Sequence, residues 1–276
     1  MKKFLLSRIP HSARPILRKI YYFPSDLIHK LSASESMVPP RSRIFVGNED
    51  FKEIGQEFKN YLIELAGLKP SHKILDIGCG IGRMAIPLTD YISGDGEYYG
   101  IDIVQDGIKW CSEKISSKYS NFHFIHTDVY NKHYNPEGRF LASEYAFPFS
   151  DGMFDIVLLT SVFTHMRRKD IENYLAEISR VLTPGGSCLI TFFLLNDESI
   201  DACMSGLAAF DFKYELDGFF TTNKETPEAA IAYRQDYVEK IIENNGLRVS
   251  GGIYFGFWCG RKTFLSCQDL VVAHKA

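Results

Sequence analysis

The stretch "ILDIGCGIGRMAIPL", Ile74 to Leu88, decides the fold. An apolar run meets an acid and then three glycines at alternate positions, before a segment of helical character. Chains bend in this way around a nucleotide. Glycine is needed there because a Cβ would hold the backbone away from the ligand, and positive φ is free only to glycine. The dinucleotide fingerprint G-x-G-x-x-G, counted from Gly78 and Gly80, requires a third glycine at position 83. Arg83 stands there, and the third glycine is Gly82. That argues against a nicotinamide dinucleotide, although a lone glycine pattern discriminates weakly in either direction.

Outward from this stretch the hydrophobic pattern alternates between two periods. Phe51, Ile54, Phe58, Leu62 and Leu65 recur at helical spacing, ended by Gly67 and Pro70. "KILDIG" reads as a strand, and "MAIPLTDYI" as a helix that Pro87 kinks or shortens. "EYYGIDIV", "NFHFIHTDV" and "FDIVLLTSVF" read as further strands, with a helix over 106–118 between the first two. "FDIVLLTSVF" is the most apolar, as a central strand buried on both faces must be. A helix over about 169–182 carries Ile171, Tyr174, Leu175, Ile178 and Leu182 on one side, stops at "TPGG", and gives way to "SCLITFFLL". This alternation predicts an α/β fold with a doubly wound parallel sheet. Ligands of such sheets sit at the carboxyl ends of the strands, which puts the cleft at Asp76.

Four motifs together resemble the class I S-adenosylmethionine-dependent methyltransferases. "DIGCGIG" is similar to their acidic residue followed by G-x-G-x-G, and "YYGIDIV" ends its strand on an acid, Asp102. "FDIVLLTSVFTHM" looks like the fourth-strand motif, and "ISRVLTPGGSCLITF" like the helix, Pro-Gly-Gly turn and fifth strand. The match is strong over 72–195 and loose over 246–275, where "GLRVSGGIYFG" and "SCQDLVVAHK" look like a final antiparallel pair. The resemblance implies a mostly parallel seven-stranded sheet with helices on both faces and an antiparallel last strand. A lid insertion over about 196–235 and an N-terminal helical arm lie outside it, giving a methyltransferase domain over 48–276.

The same resemblance implies the cofactor contacts. Gly78, Gly80 and Gly82 form the turn, and Asp76 holds the methionine ammonium directly or through water. Asp102 takes both ribose hydroxyls with Ile103 beside it, Asp128 accepts from the adenine amino group next to the Val129 N–H, and Thr160 follows the fourth strand. Cys79 is expected to be an inert thiol.

Methyl transfer is an in-line displacement with a neutral thioether leaving, so alignment and desolvation supply much of the rate. A hydroxyl acceptor also benefits from a general base. His165, just after the fourth strand, is the candidate; the alternative is a histidine that bonds the following helix. His123 and His126 fall on opposite faces of a strand, and His133 with Asp128 lacks further ligands, so no metal is expected. The acceptor is expected among residues outside the motifs: the aromatic stretch 209–220, Phe255, Trp258 and Arg261, and Glu144 with Tyr145. Aromatic faces beside carboxylates suit a small hydroxylated molecule or a glycan, lipid-linked ones included. Two competitors are a non-catalytic cofactor-binding partner subunit and a nicotinamide-dependent oxidoreductase.

The formal net charge of −3 does not favour nucleic acid as a partner. It is unevenly spread, because residues 1–31 hold seven Lys or Arg against Asp26 alone, a net of +6 that leaves −9 elsewhere. Ser12 and Pro15 can open a short helix with Ile16, Leu17, Ile20 and Tyr21 on one face and Arg14 and Arg18 opposite. Such an arm either packs on the domain or lies on an anionic membrane surface. Residues 32–47 read as a linker. Six cysteines without a C-x-x-C pair or framework spacing are expected as reduced thiols of a cytoplasmic protein.

Overall fold

Every strand expected between residues 72 and 195 forms in the computed structural model, which describes residues 21–24, 26–27, 36–44, 51–132 and 134–276. The strands are β1 (Lys73–Ile77), β2 (Glu97–Asp102), β3 (Phe122–His126), β4 (Phe154–Leu159) and β5 (Leu182–Phe192). With β10 (Leu247–Tyr254) and β11 (Asp269–Lys275) they make one sheet in the order β10-β11-β5-β4-β1-β2-β3. All neighbours run parallel except β11, which is antiparallel to both β5 and β10. The order reverses between β1 and β4, so their carboxyl ends open the crevice.

The pleat sorts the core onto two faces. Leu75, Ile77, Val157 and Leu159 pack toward helices α4 (Arg168–Val181) and α6 (Gln235–Asn244). Ile74, Ile156 and Leu158 pack toward α1 (Phe51–Glu64), α2 (Ala85–Leu88) and α3 (Gln105–Cys111). At the end of α1, Gly67 takes φ +72° and the Leu68 N–H reaches the Leu62 carbonyl at 2.9 Å, a left-handed stop.

Several boundaries differ from the sequence pattern. Pro87 cuts α2 to four residues, and the helix expected over 106–118 is α3 followed by a π turn, Ser112–Ser116. "TPGG" lies within β5: Leu182 pairs with Phe154 and Ser187 with Ile156, so the residues between them bulge outward. Asp236 lies in the first turn of α6 and accepts from its neighbour Tyr237 N at 2.9 Å. The linker is not loose throughout, since the Trp110 indole donates to the Met37 carbonyl at 3.2 Å and Arg43 lies over the same ring. The helix expected from Ser12 and Pro15, and with it most of the basic arm, falls outside the described residues.

The lid is a small sheet of its own. "SCLITFFLL" breaks at Phe193: β5 ends at Phe192, and β6 (Leu194–Leu195) leaves to pair with β9 (Ile231–Arg234). Strands β7 (Tyr214–Leu216) and β8 (Phe219–Thr221) complete the order β6-β9-β8-β7, after α5 (Asp197–Met204). At the break sits Asp269, fully buried. It accepts from Leu194 N and Gly256 N at 2.7 Å each and from the Trp258 indole at 2.8 Å. Burial pushes its pKa up to about 6 despite these donors.

Candidate functional site

A cleft of about 620 Å³ opens at the carboxyl ends of β1, β2 and β4. Its floor is the glycine turn, which the end of β2 holds in place. Gly78 N and Cys79 N donate to the Ile101 carbonyl at 2.8 and 3.1 Å. Gly80 N donates to Asp102 Oδ2, and Val104 N to Asp102 Oδ1, each at 2.7 Å. Both oxygens of Asp102 are thereby aimed, and each keeps acceptor capacity for a diol. Burial raises the Asp102 pKa, while the Val104 and Gly80 amides favour its ionised form. Gly78, Gly80, Asp102, Ile103, Val129, Thr160 and His165 all line the cleft.

Three expected residues do not line it. Gly82 has φ +84°, and a Cβ there would meet Ile115 Cδ1 at 2.8 Å and Cys111 Sγ at 3.0 Å. Its glycine is needed for packing against the end of α3 and the π turn that follows. The Asp128 carboxylate is engaged by the Arg139 guanidinium and backbone amide, which hold its pKa below the usual range. Asp76 sits behind the turn, fully buried, with Oδ2 accepting from the Tyr98 hydroxyl. Its Oδ1 has no partner among the described residues, and burial pushes its pKa up to about 7.

These features test the fit of S-adenosylmethionine. The orphaned, buried oxygen of Asp76 is an acceptor waiting for a donor of the kind an ammonium supplies. At Gly80, φ +58° and nothing within 4 Å of an added Cβ leave an open cradle beside the Asp102 carboxylate. The residues fit the cofactor. Two contributors escaped the sequence pattern: Arg83, a mostly buried cation in the lining, and Gly107, where a Cβ would lie 2.4 Å from the Gly80 carbonyl. Gly107 is marked in the sequence as the one glycine of α3, whereas Arg83 stands out there only as the residue at the absent third glycine.

The far wall comes from the lid and the loops after β3 and β4. Ser161 takes φ +57° at the end of β4, held by Thr191 Oγ1 at 2.7 Å and Gln268 Oε1 at 3.1 Å. His165 ends a short turn, Phe163–His165, and its Nδ1 lies 2.8 Å from the Glu228 carbonyl of the lid. A carbonyl only accepts, so Nδ1 carries the hydrogen and Nε2 is the basic nitrogen. His165 thus bonds the lid. Tyr130, Tyr134 and Leu141 form an aromatic and apolar rim.

The aromatic residues expected to hold the acceptor are elsewhere. Phe210, Phe212 and Trp258 pack with Phe193 at ring separations of 4.9–5.4 Å, as the core of the lid. Arg261 pairs with Glu198 at 2.7 Å and stacks on Phe255. Neither Glu144 nor Tyr145 lines the cleft.

A family model described as a methyltransferase domain matches residues 74–186. The ubiquinone/menaquinone biosynthesis C-methyltransferase UbiE of Shewanella halifaxensis is 26% identical over 200 residues, covering 70% of this chain and 73% of that one. The sterol 24-C-methyltransferase erg6 of Schizosaccharomyces pombe is 29% identical over 157 residues, covering 57% of this chain and 37% of its own. Among solved structures, the PH0226 protein of Pyrococcus horikoshii OT3 superposes with a TM-score of 0.56 at 18% identity, over 85% of this chain and 95% of that one. A putative sarcosine dimethylglycine methyltransferase of Galdieria sulphuraria gives 0.53 at 14% identity, over 81% and 86%. At such identities the structures bear on the fold alone. The matched domain begins on β1 and runs through the glycine turn to β5, and the sequence relatives carry methyltransferase names, which retires the nicotinamide alternative. Residues 74–186 thus match a methyltransferase domain, and in motif order and sheet topology the chain is similar to the class I S-adenosylmethionine-dependent methyltransferases.

Proposed function

We propose that the acceptor is a small, hydroxylated and largely apolar molecule, and that His165 takes its proton during transfer. The observation that carries this is the 2.8 Å contact between His165 Nδ1 and the Glu228 carbonyl, which makes Nε2 the basic nitrogen in a residue lining the cleft. Bound S-adenosylmethionine supplies an electrophilic methyl group. The chain's residues do the rest: Asp102 and the glycine turn orient the cofactor, the lid excludes water, and His165 removes a proton that leaves the acceptor electron-rich. The rim of Tyr130, Tyr134 and Leu141 suits a ring or a hydrocarbon better than a sugar. A glycan is the weaker fit because Phe210, Phe212 and Trp258 are used inside the lid.

Oxygen is the simplest acceptor atom. A second reading is transfer to carbon, since loss of a phenolic or enolic proton also raises electron density on the carbon next to the one bearing the oxygen. Both sequence relatives named above are C-methyltransferases, which favours it. The test is a panel of phenols, enols, sterols and sugars offered with methyl-labelled S-adenosylmethionine, the methyl being located in the product by NMR. On the best acceptor, His165→Ala lowers turnover by roughly a hundredfold while cofactor affinity stays nearly constant. Normal turnover in the folded variant leaves alignment and desolvation as the mechanism and removes the base.

A further inference from the structure

We infer that Glu228 is the positioning residue through which the lid sets the protonation pattern of His165, with Arg167 as its lock. The inference rests on His165 as the base. Three successive residues beyond β4 are each fastened to the lid. His165 Nδ1 meets the Glu228 carbonyl at 2.8 Å, and the Met166 carbonyl accepts from the Tyr233 hydroxyl at 2.9 Å. The Arg167 guanidinium then returns to the Glu228 carboxylate, with Nε at 2.8 Å and Nη2 at 2.5 Å from Oε1. Glu228 is therefore gripped at both its main chain and its side chain, by residues two positions apart.

The turn carrying it is braced from below. Thr221, fully buried, donates its hydroxyl to the Pro227 carbonyl at 2.9 Å, and Ala229 N closes the turn on the Thr226 carbonyl at 3.0 Å. Rotating the Glu228 peptide to release His165 would break the Arg167 pair as well. That pair is half exposed, so it contributes little to global stability; what it fixes is direction. Burial opposes ionisation of Glu228, but backbone donors and Arg167 more than offset it and hold its pKa low.

Direction matters because of imidazole chemistry. A neutral imidazole without a partner prefers the tautomer with hydrogen on Nε2, which cannot accept a proton there. The Glu228 carbonyl reverses that preference. Glu225, Pro227 and Glu228 also wall the cleft, so the basic tautomer is enforced by the same seating of the lid that closes the site. Base competence and closure are then one event.

The experiment uses Arg167→Met and Arg167→Lys in the full chain. The helix start is preserved, because its bond runs from the Arg167 backbone N–H to Asp170 Oδ2 at 3.2 Å. Nitrogen-15 NMR reads the His165 tautomer, calorimetry reads cofactor affinity as a check on folding, and turnover is measured on the best phenol of the panel. Arg167→Met is expected to shift the imidazole toward the Nε2–H tautomer and lower kcat tenfold or more with KM for S-adenosylmethionine unchanged, and Arg167→Lys to restore part of both. An unmoved tautomer overturns the inference, whatever kcat does. A moved tautomer with unchanged kcat upholds the positioning and instead removes His165 as base.

Discussion

In the cofactor half of the cleft, Gly78, Gly80 and Asp102 are joined by bonds between the ends of two adjacent parallel strands. In the acceptor half, His165 and Glu228 stand 63 positions apart, on short turns that adjoin different sheets. The first half is imposed by sheet pairing and exists as soon as β1 and β2 pair. The second exists only while the lid is seated. A change in the first should therefore act on cofactor binding, and a change in the second on turnover.

The largest expected effect is at Gly78. A Cβ there would lie 2.4 Å from Val162 Cγ2, at φ +81°. Left-handed backbone costs roughly 1–2 kcal/mol and overpacking about 1–3 kcal/mol. Gly78→Ala should weaken S-adenosylmethionine binding by roughly a hundredfold. Gly152→Ala is the control: it has φ +62° but no neighbour nearer than 3.9 Å, and should leave binding unchanged. Equal affinities by calorimetry would break the claim that the turn is the rigid half.

Asp102→Ala comes next, with a loss of tenfold or more, since hydrogen bonds to a charged group are worth about 1.5–3 kcal/mol. Part of that loss is indirect, because Gly80 N and Val104 N lose their acceptor together. Turnover of the saturated enzyme should change less than affinity does. A larger fall in kcat than in affinity would mean that the two halves are not separable.

The smallest effect is a pH dependence. The Asp76 pKa is raised to about 7 from 3.8 by burial, so between these values the folded chain holds a proton that the unfolded chain has released. This stabilisation is full below the unfolded value and is lost as pH rises through about 7. A cofactor ammonium at Oδ1 favours the ionised form. Binding should expel the proton, and affinity should rise severalfold across that window. Calorimetry at pH 6 in buffers of different ionisation enthalpy measures the proton, and Asp76→Asn should abolish its release. No release in the parent would place the ammonium elsewhere.

The cofactor half was legible in the sequence because steric rules act there on consecutive residues: only glycine tolerates the turn, and an acid at the next strand end must face it. Spacing does not show that Gly82 also packs against the end of α3 and its π turn, with Cys111 and Ile115 arriving from 29 and more positions away. Nor does it show the partner of Asp128, because Arg139 lies in a loop without periodicity. The lid aromatics were visible as a cluster, but composition does not say whether a cluster faces a ligand or itself. Phe193, at the break between β5 and β6, decides that it faces inward.

The buried carboxylate of Asp269 has a consequence for exchange of parts between relatives. It ties the Leu194 amide, where the chain departs for the lid, to Gly256 and Trp258, which come from the far end of the sequence. A transplant of 196–234 alone would keep this junction whole, and with it the socket into which a foreign acceptor pocket must plug. A cut placed two residues earlier would put the amide that bonds Asp269 on foreign backbone, so that its direction would follow the transplant rather than the parent sheet. The natural seam for recombining acceptor specificity is thus Asn196 on one side and Arg234 on the other.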